Sequence, residues 1–212
     1  EAHCVYVASP PRHHAETVAA ALGAHKHVLC EPPLALNAAE AEPLVQMAQN
    51  RGLVLAMNYT WRAVGAVQAI HDVLVADGIG EVLGGRIRNT SYLPLERQTW
   101  RLQGQGGGVL WDRTLHDVDL IRYLLHLSVR EAYAYGTYFN TAQGAAPVPE
   151  EIVGLVGLTG GRVMQLHDSF VQGHAPVMIE LYGANGSVVA NSCGPGSKTP
   201  EIEVRRGDTV RN

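Results

Sequence analysis

The stretch WDRTLHDVDLIRYLLH, from Trp111 to His126, sets Asp112, His116, Asp119 and Tyr123 at spacings of four, three and four residues. On a helix that places them on one narrow stripe, with Leu115, Val118, Ile121 and Leu125 as an apolar flank. A histidine one turn from a carboxylate suits general acid–base work. The carboxylate can fix the imidazole tautomer, and the ordinary histidine pKa lies near working pH. The same spacing also suits a helix capped by Asp112 with His116 as a satisfied half-buried residue, and spacing alone leaves both readings open. Asp112 and His116 are also two metal ligands at helical spacing, but no third ligand is apparent and no metal is expected.

Three smaller features accompany the helix. The preceding run GQGGG, Gly104–Gly108, has backbone N–H groups able to cradle an anion, but it is not a GxGxxG followed by a ribose-binding acid. A tight turn permitting close backbone approach is the better reading. His13 and His14 open a helix, where cations are slightly disfavoured, which marks either a site or a solvated first turn. His167 and Asp168 are neighbours on a strand and point to opposite faces, which weakens them as a pair.

The elements that must position these groups fall into two patterns. From Cys4 the chain alternates short apolar strands (CVYVA, HVLC, LVLAM) with helices, and the turns after the first two strands read SPP and EPP. Asn37 and Glu40 form a capping-box start for a helix from about Asn37 to Arg51. This alternation predicts a parallel sheet covered on both faces, with ligands at the carboxyl ends of its strands. After Asn58 the strands lengthen and alternate, as in EVLGGRIRNTSY, REAYAYGTYF, EIVGLVGLT and VMIELYG. These predict a mostly antiparallel sheet with one helix, about Val109 to His126, across a face. The expected division is therefore two domains, residues 1–60 with the parallel sheet and 61–212 with the mostly antiparallel α+β arrangement. The C-terminal VRRGDTVRN shows no closing element.

Composition narrows the function. The 212 residues carry a net charge of -4 with scattered Lys and Arg, so neither nucleic acid nor an anionic membrane is an expected partner. No apolar run is long enough to span a bilayer. Cys4, Cys30 and Cys193 are far apart and form no CxxC, which fits a reducing cytoplasm.

Taken in order, VYVASPPRHHAETVAAALGAHKHVLCEPPLALNAAEAE, NYTWR and WRLQGQGGGVLWDRTLHDVDLIRYLL resemble the Gfo/Idh/MocA family of nicotinamide-dependent oxidoreductases over nearly the whole chain. The resemblance implies a Rossmann domain followed by an α+β domain with an open sheet. It implies NAD or NADP as cofactor, a sugar, inositol or related polyol as substrate, and a homo-oligomer. His116 and Asp112 match the pair that handles the substrate hydroxyl proton. Ser9, Pro10 and His14 match the turn that approaches the cofactor, and Glu31 with Pro33 the turn beside the nicotinamide ribose. Trp100 and Arg101 match a Trp-Arg pair near the active site and are expected among the cofactor-binding residues.

Two departures matter. Where the family turn reads Glu-Lys-Pro, Pro32 stands in the lysine position. Proline has no ammonium and no N–H, so it can neither donate a hydrogen bond nor shuttle a proton. The turn itself is expected to survive through Pro33, with a cis X–Pro bond as one way to build it. The family's strand–GxGxxG–helix precedes the position of Glu1, and its members continue past Asn212, so truncation at both ends is expected. The alternative to an enzyme is a catalytically decayed remnant that dimerises or binds a ligand.

Overall fold

A computed structural model describes residues 2–97, 100–104, 106–139, 147–175 and 177–207. Gln105 of the glycine run and residues 208–212 of the C-terminal stretch lie outside the described residues. The first unit is a parallel sheet of β1 (Cys4–Val7), β2 (His27–Cys30) and β3 (Leu55–Met57) in that order, linked by α1 (His14–Gly23) and α2 (Ala38–Asn50). The capping expectation is met at α2, where the Asn37 side chain accepts from the Glu40 N–H at 2.9 Å and donates to its carboxylate at 2.7 Å. A sequential strand order with right-handed crossovers places both helices on the same face. Accordingly α1 and α2 pack on each other, and Val18, Leu22, Leu44 and Ala48 meet Val7, Val28 and Cys30 in one core. The cover expected on both faces is therefore found on one among the described residues.

Register matters more to function than cover. Val7 pairs with Cys30, and Cys30 with Met57, so all three strands stop together. Their next residues form one edge: the Glu31 N–H donates to Val7 O at 2.9 Å and the Asn58 N–H to Cys30 O at 2.8 Å.

The second unit is a seven-stranded sheet of β4 (Val82–Thr90), β5 (Val129–Thr137), β6 (Glu151–Leu158), β7 (Val163–Ser169), β8 (Met178–Gly183), β9 (Gly186–Asn191) and β10 (Glu201–Arg206). Its order is β10-β9-β8-β4-β7-β6-β5, antiparallel except where β4 runs alongside β7. Two expectations change here. The VRR of the C-terminal stretch belongs to β10, which pairs with β9 and forms that edge of the sheet. One face carries two helices rather than one, α3 (Gly65–Val75) and α4 (Leu115–Leu125). Ala66, Val67 and Ile70 from α3 and Leu120, Ile121 and Leu124 from α4 are buried on Ile87, Met164, Ile179 and Leu181 of the sheet. The α3 periodicity is present in sequence, but a tight turn at Thr60–Ala63 precedes it, in the stretch read as a domain boundary.

Candidate active site

The helix that carries His116 is not α-helical throughout. Leu110–Thr114 forms a π-helical turn that runs directly into α4. Wider turns of this type carry one extra residue per turn and often sit at functional positions. Here Val109 stands at the N-cap and Asp112 lies inside the turn, so Asp112 does not cap the helix. Instead Arg101 Nε donates to Asp112 Oδ1 at 2.8 Å, and the Arg101 guanidinium lies 4.4 Å over the ring of Trp100. The expectation that Asp112 fixes the His116 tautomer by a hydrogen bond is thus corrected. Asp112 is held by Arg101, and His116 Nδ1 is buried with no hydrogen-bond partner among the described residues. The intended stripe also divides. Asp119 accepts from Arg62 Nε at 2.8 Å, while Tyr123 stacks on His71 and accepts a bond from Gln68, facing α3.

The glycine run is a close-approach turn. Gly106 has φ +91°, and a Cβ there would come within 3.0 Å of Pro11. A Cβ on Gly107 would sit 1.9 Å from Gln103 O and 2.7 Å from Trp100 O. The run therefore presses the Trp100–Arg101 segment and the start of the helix against the SPP turn of the first unit. Gly107→Ala should cost about 2 kcal/mol of folding stability through overpacking, read as a lowered denaturant midpoint; an unchanged midpoint would show that the turn has slack.

One cavity of about 350 Å³ collects most of the sequence candidates. Ser9, His14, Glu31, Trp100, Arg101, Asp112 and His116 line it, together with Pro32. Pro10 and Pro33 are not among its lining residues, but Pro33 O lies 2.6 Å from His14 Nδ1, and Ser9 O lies 2.6 Å from His14 Nε2. His14, only 1% exposed, thus straps the SPP turn to the EPP turn with both ring nitrogens. The Pro32–Pro33 bond is cis.

Sequence reasoning missed three contributors. Tyr6 and Asn58 hold Glu31 from the neighbouring strands: the Tyr6 hydroxyl donates to Glu31 Oε1, and Asn58 Nδ2 donates to the same oxygen at 2.6 Å. The signal was their position one strand end away from Glu31. Trp111 walls the cavity and also lines a second, more apolar groove of about 340 Å³ beside Tyr59, Leu115 and Val118.

Charge and burial set the chemistry available. His116 sits edge-on to Tyr59 at 5.9 Å and 6.4 Å from Trp61. Burial pushes its pKa below the ordinary 6.5, against the opposing pull of Asp112, Asp119 and Glu31. The imidazole is therefore neutral at neutral pH and able to take a proton. Cys30 lies just beneath Glu31, but burial, with Glu31 adding, pushes its thiol up to about 12, which removes it as a nucleophile. The residues also fit a nicotinamide end-group. Ser9 Oγ and His116 Nδ1 are buried polar atoms without partners among the described residues, and an immobilised carboxylate stands at the carboxyl edge of a parallel sheet.

Comparison with known proteins agrees with this fold. Residues 67–189 match a GFO/IDH/MocA C-terminal domain, and residues 1–59 match an oxidoreductase-family NAD-binding Rossmann fold. A 1,5-anhydro-D-fructose reductase from Ensifer adhaerens is 35% identical over 190 residues, covering 89% of this chain and 56% of that protein. A myo-inositol 2-dehydrogenase from Thermotoga maritima is 27% identical, with 89% and 56% coverage. Among solved structures, an oxidoreductase domain protein from Kribbella flavida superposes with TM-score 0.78 at 27% identity, covering 95% of this chain and 60% of that one. An aldose-aldose oxidoreductase from Caulobacter crescentus shares the fold at TM-score 0.85 and 20% identity, with 96% and 60% coverage. The chain spans a little over half the length of the curated relatives it matches.

Proposed function

Because the chain belongs to the GFO/IDH/MocA family of oxidoreductases, we propose that it forms the greater part of the active site of an NAD(P)-dependent enzyme. The reaction is hydride transfer between the nicotinamide and a hydroxyl-bearing carbon of a sugar, inositol or related polyol. The observation that carries this reading is the neutral, half-buried His116, its Nδ1 without a partner among the described residues, on the same cavity as Glu31, Ser9 and Asp112. The names of the relatives from Ensifer and Thermotoga point to polyhydroxylated rings as the substrate class. The division of labour falls at residue 60, with 1–60 serving the cofactor and 61–212 the substrate.

The nicotinamide, when bound, supplies or accepts the hydride. Everything else falls to side chains. Glu31, immobilised by Tyr6 and Asn58, is placed to accept from ribose hydroxyls, with Ser9 Oγ as a further contact. Pro10, His14 and Pro33 shape the two turns on which they sit. Trp100 and Trp111 wall the cavity against water. His116 takes the hydroxyl proton in oxidation and returns it in reduction, and the Asp112 carboxylate, anchored by Arg101, steadies the imidazolium through space.

The test is nicotinamide absorbance with the intact protein, NADH and NADPH, and a panel of anhydrosugars, inositols and aldoses. Steady turnover with one polyol class is expected. A second reading, a decayed remnant kept for ligand binding or dimerisation, is favoured by Pro32, and absent turnover together with absent cofactor binding by calorimetry would establish it. A cytoplasmic homo-oligomer completes the proposal. Tyr133, Tyr135, Val153 and Leu155 leave an apolar patch exposed on β5 and β6, and a monomer in sedimentation velocity would remove that part.

A further inference from the structure

Beneath α4, on the side away from the cavity, two carboxyl groups are buried together. Asp117 on α4 and Asp168 on β7 are each 0% exposed. Asn89 Nδ2 donates to Asp117 Oδ1 at 3.1 Å, and Thr114 Oγ1 donates to Asp168 Oδ2. The remaining oxygens, Asp117 Oδ2 and Asp168 Oδ1, are buried and meet no donor from any other described residue. The fold sets the two carboxyls side by side: Asn89, the donor to Asp117, is paired with Asp168 across β4 and β7, and Thr114, the donor to Asp168, lies three residues before Asp117. Ionised carboxylates only accept, so the two orphan oxygens can satisfy each other only if one of the pair carries a proton.

Charge balance points the same way. Among the described residues the cation against this pair is Arg113, 8% exposed, whose guanidinium donates to Asn89 O at 3.1 Å, Ser91 O at 3.2 Å and Ser91 Oγ at 2.7 Å. One guanidinium balances one carboxylate, not two, and an uncompensated buried charge is costly. The other groups within electrostatic reach do not alter the count. His167, next to Asp168, is paired with Glu151 at 2.9 Å on the opposite face of the strand. Asp112 acts on Arg113 from the cavity side and is itself paired with Arg101, and the Cys193 thiol is pushed up to about 11 by burial and stays neutral.

We infer that Asp117 and Asp168 share a single proton at neutral pH and act as positioning residues, clamping α4 and its π-helical turn to the sheet so that His116 and Asp112 face the cavity. Asp117 adjoins His116 in sequence, and Thr114, the donor to Asp168, ends the turn that carries Asp112. Burial, with the neighbouring Asp168 adding, raises the Asp117 pKa well above its ordinary value, and burial raises that of Asp168 against the opposing pull of Asp117, Thr114 and Arg113. The clamp's stability contribution is therefore complete below the unfolded carboxyl range and is lost as pH rises through the folded value.

The positioning role rests on the oxidoreductase reading, whereas the shared proton does not, and the experiment separates them. Infrared spectra of the intact protein at pH 7 should contain the carbonyl stretch of a protonated carboxylic acid that disappears in Asp117→Asn. That variant keeps an N–H donor toward Asp168, so it should retain kcat within about threefold, leave the His116 imidazole NMR signal in place, and flatten the alkaline loss of thermal stability. Asp117→Ala leaves Asp168 without its partner and should lower kcat about 10–100-fold with KM less affected, as displacement of a catalytic group by an ångström does, and shift the His116 signal. No acid band at pH 7 would overturn the shared proton. An Asn variant as impaired as the Ala variant, or an unmoved His116 signal in the Ala variant, would overturn the clamp. Should the Ala variant fail to fold, the infrared band and the Asn variant's pH–stability profile still decide. A protein without turnover on any polyol leaves the infrared and NMR readings standing.

Discussion

Replacing His116 with asparagine is expected to lower kcat for polyol oxidation by about 10²–10⁴-fold, the usual contribution of a positioned acid–base group. Nicotinamide affinity should change little, because the proton is handled in the transition state and not in cofactor binding. The pH dependence gives a sharper signature. Burial holds the His116 pKa below 6.5, so kcat/KM for oxidation should persist below pH 6.5 and fall only on further acidification, as the imidazole protonates. In the reduction direction the imidazolium is the useful form, and the rate should rise as pH falls through the same range. His116→Asn should abolish both limbs. Stability supplies a check of sign. The unfolded chain binds a proton near pH 6.5 while the folded one does not, so folding stability drops as pH falls from 6.5 toward the folded value, and the variant should lose that part of the slope. A kcat within a few-fold of wild type, with its acid limb intact, would remove His116 from the mechanism.

The groups that bear on this prediction were unevenly legible in the sequence. Local chemistry read well. The Asn37–Glu40 cap, the strand ends at Glu31 and the His116 helix are written within a few residues, where capping and periodicity act. Partners that the fold brings from afar did not. Arg101 reaches Asp112 across 11 positions only because the glycine run folds back on Trp100 and Gln103, and Arg62 reaches Asp119 across 57. The π-helical turn is the clearest case. A spacing of four between Asp112 and His116 promises a contact on an α-helix, but in the π-helical turn Asp112 bonds Arg101 and His116 Nδ1 meets no partner among the described residues. Likewise the sequence shows that Asp168 is a strand residue, but not that register sets it under Thr114 and Asp117, because strand pairing is decided by the whole sheet.

Pro32→Lys is expected to raise turnover by about tenfold or more, a modest fraction of what a positioned proton donor supplies. Pro32 is buried at the cavity wall in the turn that also carries Glu31, so a lysine side chain there would enter the space bounded by Glu31, Asp112 and His116. Two carboxylates favour the ammonium form, and Arg101 is already engaged by Asp112, which tempers its repulsion. A protonated amine beside the reacting hydroxyl stabilises developing alkoxide charge, which an imidazole alone can meet only by taking the proton itself. The two predictions are therefore coupled. If His116 does alone what a lysine and a histidine could share, His116→Asn should cost less in the Pro32→Lys background than in the wild type, and the double-mutant cycle should show an interaction of at least about 1 kcal/mol. Strict additivity would mean that lysine and histidine act on different steps. A fall or no change in the measured hydride-transfer rate of Pro32→Lys, with cofactor and substrate still bound, would show instead that the cavity has been rebuilt around proline and that the family's lysine chemistry no longer fits it.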